Sequence, residues 1–254
     1  MTAPWLRAVT VDPSWPADDG TVMAAVASAR SALGRLNGPR GIRDGTGRAA
    51  AAAAMRAARA SAALEGVPLA LDREVDAITD PVLAGAVRVA AELGGLMGTW
   101  RRAPLQVLAR LHTLAAADLV PRDELGRPRP DPDRPDLVST RLAALSDLVV
   151  RSSWPAPVLV AIVHGELAAL APFGSADSVV ARAAARLTMI TTGLDPSGLA
   201  VPEVAHLRSM AAYRAGLLAY GEGSRAGLGT WVVQVCGALT RGAAEGEALA
   251  AASG

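Results

Sequence analysis

The chain contains no lysine: its 25 basic side chains are all arginine, set against 24 Asp and Glu for a net charge of +1 over 254 residues. Scattered arginines at so even a balance make no basic footprint for a phosphate backbone. Groups for base stacking are as scarce, with five Trp, two Tyr and one Phe, so nucleic acid is not an expected partner. Arginine without lysine, beside abundant Ala, Gly and Pro, reads as the codon usage of a GC-rich genome rather than as chemistry. The single cysteine, Cys236 in WVVQVCGAL, has no disulfide mate; it reads as a small core residue in a reducing, cytoplasmic setting. Apolar residues make up 51% of the chain, but much of this is alanine. No run of about 18 strongly apolar residues is evident, so neither a membrane span nor a membrane partner is expected. The first twenty residues, without a basic region followed by an apolar core, do not read as a signal peptide.

What is abundant is helix. Capping, proline placement and apolar periodicity predict helices near 21–36, 47–65, 81–100, 104–118, 137–152, 157–171, 178–192, 202–220 and 226–250. Asp80-Pro81 pairs a capping carboxylate with proline at the first helical position. The Ala-rich stretch of 47–65 has the strongest intrinsic helix propensity available and stops at Gly66. Apolar residues at 105, 108, 111 and 115 share one helix face. Gly126 to Asp136, GRPRPDPDRPD, is a loop with four prolines. With no alternating strands, the expected architecture is an all-α helical bundle with a loop or short flap near 121–136. Residues 1–44 read as an N-terminal arm and helix, and 45–250 as the main helical domain.

The stretch from His164 to Arg186, HGELAALAPFGSADSVVARAAAR, reads as helix, Pro-Phe turn, small-residue loop and a second helix. Amides at the start of such a second helix form an anion cradle. The stretch resembles the signature of the Fic/DOC (Fido-fold) family, H-P-F-x-(D/E)-G-N-G-R-x-x-R. Pro172, Phe173 and Arg182 match it. The catalytic histidine is replaced by Ala171, the acidic residue by Ser175, the G-N-G triplet by Ala176, Asp177 and Ser178, and the first arginine by Val179. A second motif of that family, the inhibitory (S/T)-x-x-x-E-(G/N), is similar to Ser61-Ala62-Ala63-Leu64-Glu65-Gly66, within an inhibitory helix at 47–66. The resemblance covers about residues 45–245 and implies a Fic-type bundle. It places Arg182 where the family binds the outer nucleotide phosphate and pairs with the inhibitory glutamate, here Glu65.

The family transfers AMP from ATP, with magnesium, to a protein hydroxyl that the histidine deprotonates. Ala171 cannot take a proton, and loss of a positioned base costs about 10²–10⁴-fold. His164 lies seven residues upstream, about 10 Å along a helix, and reads as structural. His112 and His206, remote from the signature in sequence, read as core or surface residues. Ser175 is a poor sole ligand for magnesium. Asp177 reads as the N-cap of a helix starting at Ser178, and as a negative charge where phosphate would dock; alternatively it serves as a displaced metal ligand. Ser178 crowds the phosphate approach, and Val179 removes a neutralising charge. In the family a flap aligns the target by strand addition, for which Pro128, Pro130, Pro132 and Pro135 supply no N–H; the loop reads as a modified flap or an ordinary surface loop. The expected function is therefore that of a Fic-like protein with an eroded active site, acting by binding or regulation, with a nucleotide or a protein as its partner, rather than transferring AMP. An active transferase with altered donor or base, and a purely structural partner-binding protein, are the alternatives.

Overall fold

In the computed structural model, which describes residues 15–38, 46–71 and 77–253, the Asp80 carboxylate accepts the amides of Val82 and Leu83 at 2.9 Å each, with Pro81 in the first helical turn. Asp19 caps the first helix in the same way, through Thr21 and Val22. Among the described residues there are ten helices and no strand: α1 Gly20–Leu36, α2 Thr46–Leu64, α3 Pro81–Trp100, α4 Pro104–Ala115, α5 Leu137–Arg151, α6 Ala156–Leu170, α7 Asp177–Thr191, α8 Pro202–Arg208, α9 Met210–Gly221 and α10 Arg225–Ser253. The all-α expectation holds, and the proline-rich segment is a loop without a hairpin.

The central hairpin is α6 and α7, both buried on nearly every face between Pro157 and Leu167 and between Val179 and Met189. For the strongly apolar α6 that is the state its sequence demands, whereas α7 carries Arg182 and Arg186 into the interior with it. On one side α6 packs against α10, which also lies along α1, α8 and α9; on the other, α3 and α4 cover α7. Helix α2 joins the two halves through α3, α8 and α10. One apolar core gathers Leu33, Leu36, Ile162 and Trp231; another gathers Trp100, Leu108, Leu111 and Leu187. Gly165 permits the closest approach of α6 and α10. A Cβ there would sit 2.5 Å from the Trp231 Nε1, which donates to the Ala161 carbonyl at 2.7 Å.

Two expectations change, and a third falls outside the described residues. The single helix at 202–220 is two, broken at Ser209 (φ −124°, ψ 44°). Neither Gly nor Pro marks the break; α8 leaves to pack on α2 while α9 stays on α6, so tertiary packing overrides propensity. Helix α3 is long and apolar enough, by length and composition, to cross a membrane, which the sequence reading missed; here its Leu83, Ala86, Val89, Leu93 and Trp100 are buried in the protein. The proposed arm falls mainly on residues 1–14, and the boundary at 44/45 on 39–45, both outside the described residues. Trp15, at the arm's end, is buried edge-on to Trp154 at 5.7 Å.

Candidate functional site

The turn joining α6 to α7 is built on two alanines in the left-handed region, Ala171 (φ 45°, ψ 57°) and Ala176 (φ 51°, ψ 12°). Each such residue costs roughly 1–2 kcal/mol that glycine would avoid. Between them the amide of Phe173 donates to Asp177 Oδ1 at 2.8 Å, while the nearby Gly174 and Ser175 amides favour the charge of the same carboxylate and the Gly174 N–H donates to the Ala171 carbonyl at 3.3 Å. Asp177 is thus not the N-cap of α7. Ala176 occupies that place without a side-chain bond, and Asp177, one residue on, reaches back over the loop. The N–H groups that make such a turn an anion cradle hold the chain's own anion. Burial raises the Asp177 carboxyl to about 6, against the pull of those amides and of Arg129. Val179 turns away from the loop into the core beside Ala58 and Val89. Ala171 is exposed and Ser178 half-buried.

His112, remote from the signature in sequence, is the core residue its helical setting allowed, and it packs against this loop. It is buried (1% exposed) and stacks on Phe173 with ring centroids 4.2 Å apart. Its Nδ1 accepts the Gly126 amide at 2.9 Å, and its Nε2 lies 3.0 Å from Ser175 Oγ. With Nδ1 committed as an acceptor, the neutral ring carries its proton on Nε2 and donates to Ser175. Burial, then the charge of Arg129, lowers its pKa and keeps it neutral. An imidazole so fixed cannot take a proton from Ser175 or from a hydroxyl at that side. His112 therefore offers no substitute for the base absent at Ala171.

Arg182, on the second turn of α7, is 3% exposed. Its Nε donates to Ser61 Oγ at 2.8 Å, and its Nη2 to the Ser61 carbonyl at 3.1 Å and to Glu65 Oε1 at 2.6 Å. Its Nη1 donates to the Tyr213 hydroxyl at 3.4 Å. Burial by itself would weaken the Arg182 charge; Tyr213 and Glu65 more than offset this. Glu65 reaches it because α2 ends in a Schellman turn, with Gly66 (φ 96°) donating to Ala63 and Val67 donating to Ala62. The Ser61, Glu65 and Gly66 motif and Arg182, 117 positions from Glu65, thus meet. Behind Arg182, Tyr213 lies 3.0 Å from His164 Nε2, and His206 stands edge-on to His164 at 5.3 Å. Burial, with neighbouring positive charge, holds His164 well down and His206 at about 3. Both are neutral core residues lining the Arg182 chamber.

The proline-rich loop closes over the signature turn. The Arg129 amide donates to the Pro172 carbonyl at 2.7 Å. Its guanidinium lies against Gly174, where a Cβ would come within 2.7 Å of Nη1, and pairs with Glu124. Sequence reasoning weighed the prolines of this loop but not the arginine between them, and no local pattern marks it. Tyr213 was missed for the same reason.

The residues present do not fit magnesium. Ser175 accepts from His112, and the Asp177 carboxylate is turned onto backbone amides rather than free as a displaced ligand. Among the described residues no three His, Cys, Asp or Glu side chains gather at metal-holding spacing, and this cation prefers carboxylate oxygens.

No known sequence family and no curated protein matches the chain. Its architecture does have counterparts among solved structures. A Fic family protein from Desulfovibrio desulfuricans superposes with a TM-score of 0.70 at 20% identity, covering 89% of this chain and 74% of that one. Fic-1 from C. elegans gives 0.67 at 19% identity over 94% of this chain and 75% of its own. A point variant of Fic-1 gives 0.67 at 18%, over 94% and 76%. The chain has the Fic fold.

Proposed function

We propose that this Fic-fold chain does not transfer AMP and acts instead by binding a small molecule or protein partner, with its former nucleotide cleft held shut. The observation that carries this reading is the Asp177 carboxylate on the loop amides, a negative charge seated where a nucleotide phosphate would need to be. Ala171 leaves no proton acceptor at the position of the Fic histidine, and His112 is fixed as a donor. The pair of Glu65 and Arg182 is supported as an inhibitory contact by its 2.6 Å bond and by the buried setting of the arginine. The buried Cys236, its thiol raised to about 12 by desolvation, fits a cytoplasmic protein.

The test is labelling of the purified chain with ATP radiolabelled at the α-phosphate, with magnesium and a cell extract as acceptor, beside Glu65→Gly. Neither protein is expected to modify itself or any acceptor. Labelling by the native chain, or its appearance in Glu65→Gly, overturns the reading and returns the chain to the transferases.

A further inference from the structure

Beneath the proline-rich loop lies a cavity of about 430 Å³, within the range of small-molecule sites. Leu105, Leu108, Val138, Leu142 and Phe173 form its apolar walls, and Pro128, Pro130 and Pro135 its rim. Leu105 is 44% exposed, an unusual setting for a leucine whose helix neighbours Leu108 and Leu111 are core residues. One charged side chain, Arg129, lines the cavity.

The backbone here cannot receive an extended peptide. Pro128, Pro130 and Pro135 carry no N–H, and the Arg129 amide is spent on Pro172. Strand addition, which needs backbone N–H donors as well as carbonyls, is therefore unavailable along this edge. The charged handle is the Arg129 guanidinium; the Ser139 hydroxyl, also in the lining, donates to the Asp136 carbonyl at 3.1 Å. The Arg129 pair with Glu124 is solvent-exposed, at 53% and 39% of the two side chains, and such a pair is weak. A guanidinium has five N–H donors in a fork suited to carboxylate, so a second carboxylate can share it or displace Glu124.

We propose that this cavity binds a small apolar carboxylic acid, its hydrocarbon body against Leu108, Leu142 and Phe173 and its carboxylate on Arg129. Phe173 belongs to the signature turn and Arg129 rests on Gly174, so an occupant also touches the loop that Asp177 closes. The proposal does not depend on the absence of AMP transfer: labelling reads the Asp177 loop, whereas ligand binding reads the cavity.

The experiment is calorimetric titration of the full chain with 2-naphthoate, its neutral amide 2-naphthamide, and 2-naphthylmethylammonium. The expected result is saturable one-to-one binding of naphthoate, with the amide at least about tenfold weaker and the ammonium undetectable. Arg129→Leu should bring naphthoate down to the level of the amide. Ser139→Trp, placing a large ring in the cavity from an exposed rim position, should abolish binding while leaving the circular dichroism spectrum unchanged. Absence of naphthoate binding, equal affinity for acid and amide, or binding that survives Ser139→Trp overturns the proposal.

Discussion

Replacing Glu65 with alanine takes one of four acceptors from a guanidinium that is 3% exposed. Removing one partner of a fully buried ion pair costs about 3–5 kcal/mol. Two features reduce that figure here. The Glu65 side chain is 30% exposed, so water can take its place, and Arg182 keeps Ser61 Oγ, the Ser61 carbonyl and Tyr213. A charge-assisted bond of this kind contributes about 1.5–3 kcal/mol, and the lower half of that range is the expected loss for Glu65→Ala. Arg182→Met should cost more, about 3 kcal/mol, because it strands the Ser61 carbonyl in a buried chamber, leaves the Tyr213 hydroxyl with His164 alone and removes the partner of Glu65. In the double variant Glu65 is already redundant, so the two effects should fall short of additivity by about 1–2 kcal/mol. Urea unfolding of the four proteins at pH 7, with m-values unchanged, measures this. A coupling below about 0.5 kcal/mol would mean that Glu65 and Arg182 touch without holding each other, and the inhibitory reading would lose its physical basis.

Asp177 makes a prediction about pH. Its folded pKa, raised to about 6, lies above its unfolded value, so its favourable contribution is complete below about pH 4 and is lost as pH rises through 6. Against Asp177→Asn the native protein should therefore lose about 1–2 kcal/mol of relative stability between pH 4 and 7, a figure reduced for partial exposure. A relative gain over that range in urea titrations would show that the amide bonds outweigh burial. Arg141 grips the wholly buried Glu166 through two bonds of 2.7 and 2.8 Å, so Arg141→Met should destabilise by about 3–5 kcal/mol. A change of less than 1 kcal/mol in the same assay would show that Tyr220, 3.2 Å from that carboxylate, suffices to hold it.

The helices and their ends were legible in the sequence because caps, propensity and proline act over a few residues: Asp80-Pro81 opens α3 and Gly66 ends α2 as their chemistry requires. The signature turn and the Ser61–Gly66 motif were legible as short patterns, although no pattern says that residues 65 and 182 touch. Other matters rested on packing across long stretches of chain. His112 reaches Ser175 from 63 positions away, and Arg129 drops onto Gly174 from a loop that reads as surface. The helix at 202–220 divides at an unmarked serine because two partners pull it in different directions. Asp177 could be read as a cap or a metal ligand until the turn of Ala176 aimed it back at the Phe173 amide. Local chemistry determined which segments are helical and where an anion loop would lie. Only the folding of distant segments onto that loop decided that its donors, its histidine and its arginine would be turned inward upon the protein itself.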